Sequence, residues 1–289
     1  MLDLTTIIVD RNVINKLYNS GEVRTDLVNP NIETEGLFFV LFKTEDNSKS
    51  ALAHYESEFF VLVNTKDLSY QGFSPKDASQ SCLFWALKEL DLIVSIGGAG
   101  TGKTTVSMAY AIRQMYRADK TLVLCKPTVL VGRSSTAIGT IPGDHREKMA
   151  GYIDSYLTPL KKIFGSTFEH HLYEYEEEEK ILFKPIELMR GQHFENTVLI
   201  IDEAQNTTPH ELMSVISRAG SGSKVIVLGD QSQIDQAHPW NESGLYALVN
   251  STAFQLCEFA SGIRLTGQYR GPMATLAADI LTELNDVSD

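Results

Sequence analysis

The stretch DLIVSIGGAGTGKTTVSMAYAIRQMY, residues 91–116, decides the fold. Its apolar opening, LIVSI, reads as a strand buried on both faces. Beyond Lys103 the apolar residues recur at helical spacing, which predicts a helix to about Tyr116. Between the two, Gly97–Thr104 fits G-x-x-x-x-G-K-T at every fixed position, in the strand–loop–helix setting that a phosphate-binding loop requires. Gly97, Gly98, Gly100 and Gly102, interleaved with Ala99 and Thr101, let backbone N–H groups turn inward. The new helix adds its positive end, so residues 97–105 are expected to cradle a triphosphate. Lys103 is expected to reach the β- and γ-phosphates. The Thr104 hydroxyl is expected to ligate Mg²⁺, with Thr105 completing the cradle.

Working outward, KTLVLCKP, TVLIIDEA and SKVIVLGD are further strand candidates dense in Val, Ile and Leu. Helical patterns lie between and beyond them, in HREKMAGYIDSYLTPLKKIF, PHELMSVISRA and GPMATLAADILTELND. This alternation implies an α/β domain with a mostly parallel sheet. The first seventy residues differ. VDRNVINKLYNSG suggests a short helix closed by Gly21, and GLFFVLFKTEDNSKSALAHYESEFFVLVN a short antiparallel β unit. The expected division is a β-rich accessory unit over residues 1–70 and an α/β domain over 71–289.

Two motifs turn phosphate binding toward hydrolysis. In VLIIDEAQN, residues 198–206, a strand delivers two carboxylates to the mouth of the site. Asp202 would hold the magnesium through its water shell, and Glu203 would orient and deprotonate the attacking water. In VIVLGDQSQID, residues 225–235, Gly229, Asp230 and Gln233 end the next strand. The Gln233 amide there can touch the γ-phosphate or the attacking water; a capping turn is the alternative.

Composition removes several classes. The formal net charge of −12 excludes a uniformly basic nucleic-acid binder but not a local basic groove. No apolar run approaches membrane-spanning length, and the N-terminus lacks the basic stretch of a signal peptide. Cys82, Cys125 and Cys257 form no CxxC pair and read as reduced thiols of a cytoplasmic protein. EYEEEEK, residues 174–180, reads as a solvated turn or loop.

Taken together, GGAGTGKT, LCKPTVLVG, IPGDHREKMAGYIDSYLTPL, ELMRGQHFENTVLIIDEAQNTTPHEL, RAGSGSKVIVLGDQSQID and GLYAL resemble the PhoH-like ATPases, in family order across residues 74–282. That branch of P-loop proteins is similar to the RecA-like core of superfamily 1 helicases. The resemblance implies a P-loop NTPase fold with ATP and Mg²⁺ as ligands. It assigns Gln80 of FSPKDASQ to the adenine edge and Arg270 of LTGQYRG to the transferring phosphoryl, with Arg264 as the lesser candidate for that role and Arg190 of LMRG as a contact to phosphate or nucleic acid. It further implies that residues 1–70 are the connector kept after loss of a nuclease domain, with Asp10 structural. Arg133 departs from the acidic residue usual in the family at that place.

A helicase of that superfamily needs two such cores, and the chain has length for one. The expectation is therefore a homo-oligomer, a ring such as a hexamer, with Arg270 supplied by a neighbour. Its cycle would be coupled to single-stranded RNA or DNA, RNA by resemblance. Lys126, Arg133 and Ser134 would stand near phosphates and His238 or Trp240 would serve as stacking platforms, although packing explains Trp240 equally well. An ATP-dependent switch acting on protein partners is the alternative. A metabolite kinase is disfavoured by Glu203, by GDQSQ and by the lack of an Arg-rich lid.

Overall fold

A computed structural model describes residues 2–28, 36–66, 68–128, 145–189, 191–234 and 239–269, together with 271–273, 276 and 280; residues 145–152 are described by backbone alone. The N-terminal elements are β1 (Thr5–Ile8), α1 (Arg11–Ser20), β2 (Glu22–Arg24), β3 (Phe39–Lys43), β4 (Ser50–Glu56) and β5 (Phe59–Leu62). There follow α2 (Ala78–Glu89), β6 (Leu92–Gly97), α3 (Lys103–Ala118), β7 (Thr121–Lys126), α4 (His145–Phe164), α5 (Phe168–Glu177) and β8 (Ile181–Pro185). The chain continues through β9 (Thr197–Ile201), α6 (Pro209–Ile216), β10 (Lys224–Gly229), α7 (Gly244–Val249), α8 (Thr252–Gln255) and β11 (Ala260–Leu265).

Six strands form one sheet in the order β11-β6-β10-β9-β7-β8, and every pair in it is parallel. Alternate residues of each strand feed opposite faces. Ile93, Ile200 and Ile226 pack with Leu83, Met108 and Ile112 of α2 and α3. Their sequence neighbours Val94, Ile201 and Val227 pack with Leu212 and Leu245 of α6 and α7. Such two-sided burial is what the Val/Ile/Leu runs require. Among the described residues, no helix is long and apolar enough to cross a membrane.

The N-terminal residues build a second sheet, ordered β1-β3-β4-β5-β2. The expected antiparallel unit is there as β3, β4 and β5, but β1 adds to it in parallel. Gly21 closes α1 in the left-handed region at φ 82°. Asp10 stands exposed at the start of that helix. The two sheets meet through Trp85 of α2, whose ring lies 4.2 Å from that of His54 and 5.6 Å from that of Phe39. A second join runs along β11. Its Arg264 N–H donates to the Leu2 carbonyl at 2.8 Å, and its Arg264 guanidinium pairs with Asp3 at 2.8 Å.

The acidic stretch EYEEEEK is corrected here. Glu174–Glu177 form the last turn of α5, and only residues 178–180 turn. Glutamate is a good helix former, and the apolar residues Phe168, Leu172 and Tyr175 of the same segment pack on the core, which outweighs repulsion among exposed carboxylates. Strands β8 and β11 were not expected, and the C-terminal helix lies mostly outside the described residues.

Lys224, at the start of β10, is buried. Its ammonium donates to the Leu87 carbonyl at 2.7 Å and to that of Leu90, closing the C-terminal end of α2, with the Tyr110 ring 5.2 Å away. Burial pulls its pKa down to about 8. Between about pH 8 and the usual lysine range the unfolded chain holds a proton that the folded one has released, so this residue adds stability as pH rises. Chemical denaturation of wild type and Lys224→Met should therefore show a stability difference that moves in favour of wild type by on the order of 2 kcal/mol between pH 7.5 and 10. A difference that stays flat with pH rejects this.

Candidate functional site

The carboxyl ends of β6, β10 and β9 open into a cleft of about 570 Å³. One wall is the loop 97–102 with the first turn of α3, and the floor holds Asp202, Glu203, Asp230 and Gln233. Gly100 and Gly102 occupy the left-handed region at φ 89° and 94°, which the loop needs. Gly97 and Gly98 do not. Gly97 is crowded by the end of β11, since a Cβ there would lie 2.7 Å from the Leu265 carbonyl oxygen; a Cβ on Gly98 would lie 3.3 Å from the end of the Gln268 side chain. Lys103 Nζ rests on the loop's own rim, donating to the carbonyls of Gly97 and, at 3.1 Å, Gly98. Thr104 and Thr105 line the cleft with Ala99, and Thr101 is buried with its hydroxyl on the Gly98 carbonyl.

The Thr104 hydroxyl donates to Asp202 Oδ2 at 3.0 Å, so the two expected metal ligands meet. Burial pushes the Asp202 carboxyl up, against the Thr104 bond and the nearby Lys103 and Lys126. Burial and the Asp202 charge push Glu203 up as well. Glu203 itself lies in the left-handed region at φ 54°, uncommon for a residue with a side chain. Asp230 Oδ1 accepts from the Ser232 N–H and hydroxyl at 3.0 and 2.6 Å, whereas its buried Oδ2 has no hydrogen-bond partner among the described residues. Hard oxygen donors from Thr104, Asp202 and the Asp230 carboxylate are the donor chemistry of Mg²⁺. The residues present fit that ion.

At the far end of the cleft stand Phe73, Lys76, Gln80 and Tyr269. The Gln80 amide is engaged within the protein: Oε1 accepts from Lys76 N–H at 2.9 Å and Nε2 donates to the Thr101 carbonyl at 2.9 Å. It thereby ties the residues ahead of α2 to the glycine loop. Asp77 caps α2 by accepting from Gln80 N–H at 2.7 Å, and it also accepts from the Tyr269 hydroxyl. Burial alone would raise the Asp77 carboxyl, but the bonds from Tyr269, Gln80 and Ser79 hold it below the usual aspartate range. Tyr269 N–H donates to the Gly100 carbonyl at 3.2 Å, so the chain beyond β11 returns across the loop.

Other sequence candidates separate. Arg264 is held by Asp3 in a smaller cavity of about 230 Å³ on the other side of the 230–234 turn, with Gln231, Trp240 and Tyr246. Trp240 is half-buried there, its ring edge-on to Tyr246. Lys126 points across the cleft mouth, donating to Ser155 of α4 at 2.8 Å, and burial lowers its pKa. Arg133, Ser134, Arg190, His238 and Arg270 lie outside the described residues. Sequence reasoning passed over Tyr269, the α4 wall of Asp154, Thr158 and Lys162, and Gln205, whose fully buried amide touches Glu203. Gln205 was in view, two residues after Glu203; nothing in one sequence distinguishes a buried amide from an exposed one.

Asp77 joins the helix cap to the returning segment. Asp77→Ala should cost about 1–2 kcal/mol in denaturant unfolding, and Tyr269→Phe less, because that hydroxyl is near the surface. Equal losses would show that the cap is not the larger contribution.

Residues 73–266 match the family described as PhoH-like protein. A PhoH-like protein of Bacillus subtilis (strain 168) is 33% identical over 197 residues, covering 68% of this chain and 60% of its own. Protein PhoH2 of the same organism is 31% identical over 262 residues, covering 84% of this chain and 56% of its own. The chain therefore spans somewhat over half the length of these relatives. Among solved structures, that of Pif1 helicase from Candida albicans aligns with 73% of this chain and 44% of its own, at 17% identity and a TM-score of 0.38. With a family match running through the glycine loop, the carboxylate pair and the 230–234 turn, the chain belongs to the PhoH-like protein family.

Proposed function

We propose that the chain is a Mg²⁺-dependent ATP hydrolase whose cycle acts on single-stranded nucleic acid. The observation that carries the hydrolase reading is the meeting of Thr104 and Asp202 at 3.0 Å beside Glu203, in a cleft walled by the glycine loop. Backbone N–H groups of residues 98–105 take the phosphates, and Lys103 exchanges the Gly97 and Gly98 carbonyls for β- and γ-oxygens. Thr104 and Asp202 would hold the magnesium, which supplies positive charge against the charge developing on the transferring phosphoryl. Glu203 accepts a proton from the attacking water, and Gln233 reads the γ-phosphate. The purine lies toward Phe73, Gln80 and Tyr269, with Gln80 shaping that end through the loop.

Residues 1–70 act as an accessory unit to the ATPase domain over 71–289. Arg270 follows as the arginine that meets the phosphoryl, supplied between copies in a homo-oligomeric ring such as a hexamer. Single-stranded RNA is the polymer favoured by family likeness, with Lys126, Arg133 and Ser134 on its path. A second reading, an ATP-dependent switch on protein partners, is favoured by the net charge of −12.

Steady-state hydrolysis with and without single-stranded RNA or DNA tests this. Lys103→Ala and Glu203→Gln should each lower kcat by about 10²-fold or more, the latter with ATP binding retained. RNA should raise the wild-type rate; indifference to both polymers would leave the partner switch. Light scattering with ATP should give a multiple of the monomer mass, and a monomer throughout would end the ring proposal.

A further inference from the structure

Gln205 lies in the 3₁₀ turn Ala204–Asn206 that follows β9, with its side chain fully buried. Its Oε1 accepts from Asp230 N–H at 3.0 Å. Its Nε2 donates to the Gln233 carbonyl at 2.8 Å and to Glu203 Oε2 at 2.7 Å. The two backbone partners fix the orientation of the amide: an N–H faces only the oxygen, and a carbonyl faces only the nitrogen. One N–H is then left over, and it is aimed at Glu203. The amide is also confined, because a Cβ on the adjoining Gly229 would overlap Leu245 and stand 3.0 Å from Gln205 Oε1.

Glu203 needs such support. Its backbone is in the left-handed region, its N–H is taken by Asp202 Oδ1 at 3.0 Å, and its side chain projects from a turn rather than a regular element. Gln205 holds one carboxylate oxygen and leaves the other for the cleft. The same amide grips both ends of the 230–233 turn, whose Gln233 lines the cleft. A shift of that turn therefore moves the group that holds Glu203.

We propose that Gln205 is a positioning residue that makes the alignment of Glu203 conditional on the 230–233 turn, so that contact of Gln233 with the γ-phosphate of ATP is passed to the base. This rests on the hydrolase reading above and adds its regulation: water is activated when an intact triphosphate has set the turn. ADP, lacking the γ-phosphate, leaves the turn unset and the base unaligned.

Single-turnover ATP hydrolysis tests it in wild type, Gln205→Leu, Gln205→Asn, Glu203→Gln and the Glu203→Gln/Gln205→Leu double variant. Binding of a fluorescent ATP analogue and thermal unfolding are measured on each. Gln205→Leu should slow hydrolysis about thirtyfold or more, within the range of a misaligned general base, while affinity for the analogue changes less than about threefold. Gln205→Asn keeps an amide but is one methylene too short to reach all three partners; it should fold and lose about tenfold or more. In the Glu203→Gln background the further loss from Gln205→Leu should be under about twofold, because there is no base left to align. The same loss in both backgrounds would mean general damage and would overturn the proposal, as would full activity of both Gln205 variants. A wild type with no Lys103-dependent hydrolysis would overturn the hydrolase reading and this inference together.

Discussion

The insertion of β10 between β6 and β9 sets the spacing of every group in the cleft. Neighbouring strands stand about 4.8 Å apart, so the ends of β6 and β9 are separated by about twice that. Across such a gap the glycine loop cannot touch Asp202 through its backbone. The first turn of α3 does so instead, with Thr104 reaching the carboxylate at 3.0 Å. The strand between them must then end without a side chain. Gly229 is that end, and the room it leaves is filled by Leu245 from one side and Gln205 from the other. Sheet order thus sets the separation of the two sides of the cleft, and gives it a floor that carries an amide.

Charge burial is handled differently at two points of the same sheet. At the amino end of β10, Lys224 is enclosed and satisfied by the carbonyls of Leu87 and Leu90, a complete solution within the protein. At the carboxyl end, Asp202, Glu203 and Asp230 gather with too few internal donors. Burial raises the first two, and Asp230 Oδ2 has no hydrogen bond among the described residues. A buried acceptor left unpaired costs about 1–3 kcal/mol. The lysine site is closed within the protein, whereas the carboxylate site has the donor chemistry that fits a cation. The contrast is between a buried amine whose hydrogen-bond partners are backbone carbonyls, although burial still disfavours its charge, and a carboxylate group with few such partners.

The sequence made the centre of the sheet legible and its edges less so. Strands β6, β7, β9 and β10 are continuous apolar runs because both their faces are covered. Edge strand β8 carries Lys184 and Pro185, and edge strand β11 carries Ser261, Gly262 and Arg264, which blur the same signal. Thr104 and Asp202 were readable because their spacing from the glycines and from the strand end is fixed by local geometry. Gln80 lines the cleft, but the direction of its amide depends on Thr101 and Lys76 folding against it, which no local pattern encodes. Gln205 and Tyr269 depend on contacts across the sheet that no local pattern encodes.

The N-terminal unit and the nucleotide cleft share a strand. Leu2 and Asp3 hold Arg264 of β11 through its N–H and its guanidinium, and the Leu37 carbonyl meets Ser261 at 3.4 Å. A side chain at Gly262 would displace Leu2, so the strand is shaped to receive that segment. Leu265 at the end of the strand crowds Gly97, and the residues that follow approach Gly98, meet the Gly100 carbonyl and reach Asp77. The path from residues 2–3 to the glycine loop therefore runs along a few residues of extended backbone, stiff in the strand and anchored at both ends. The N-terminal sheet is thereby joined, through one strand and the residues that follow it, to the glycine loop.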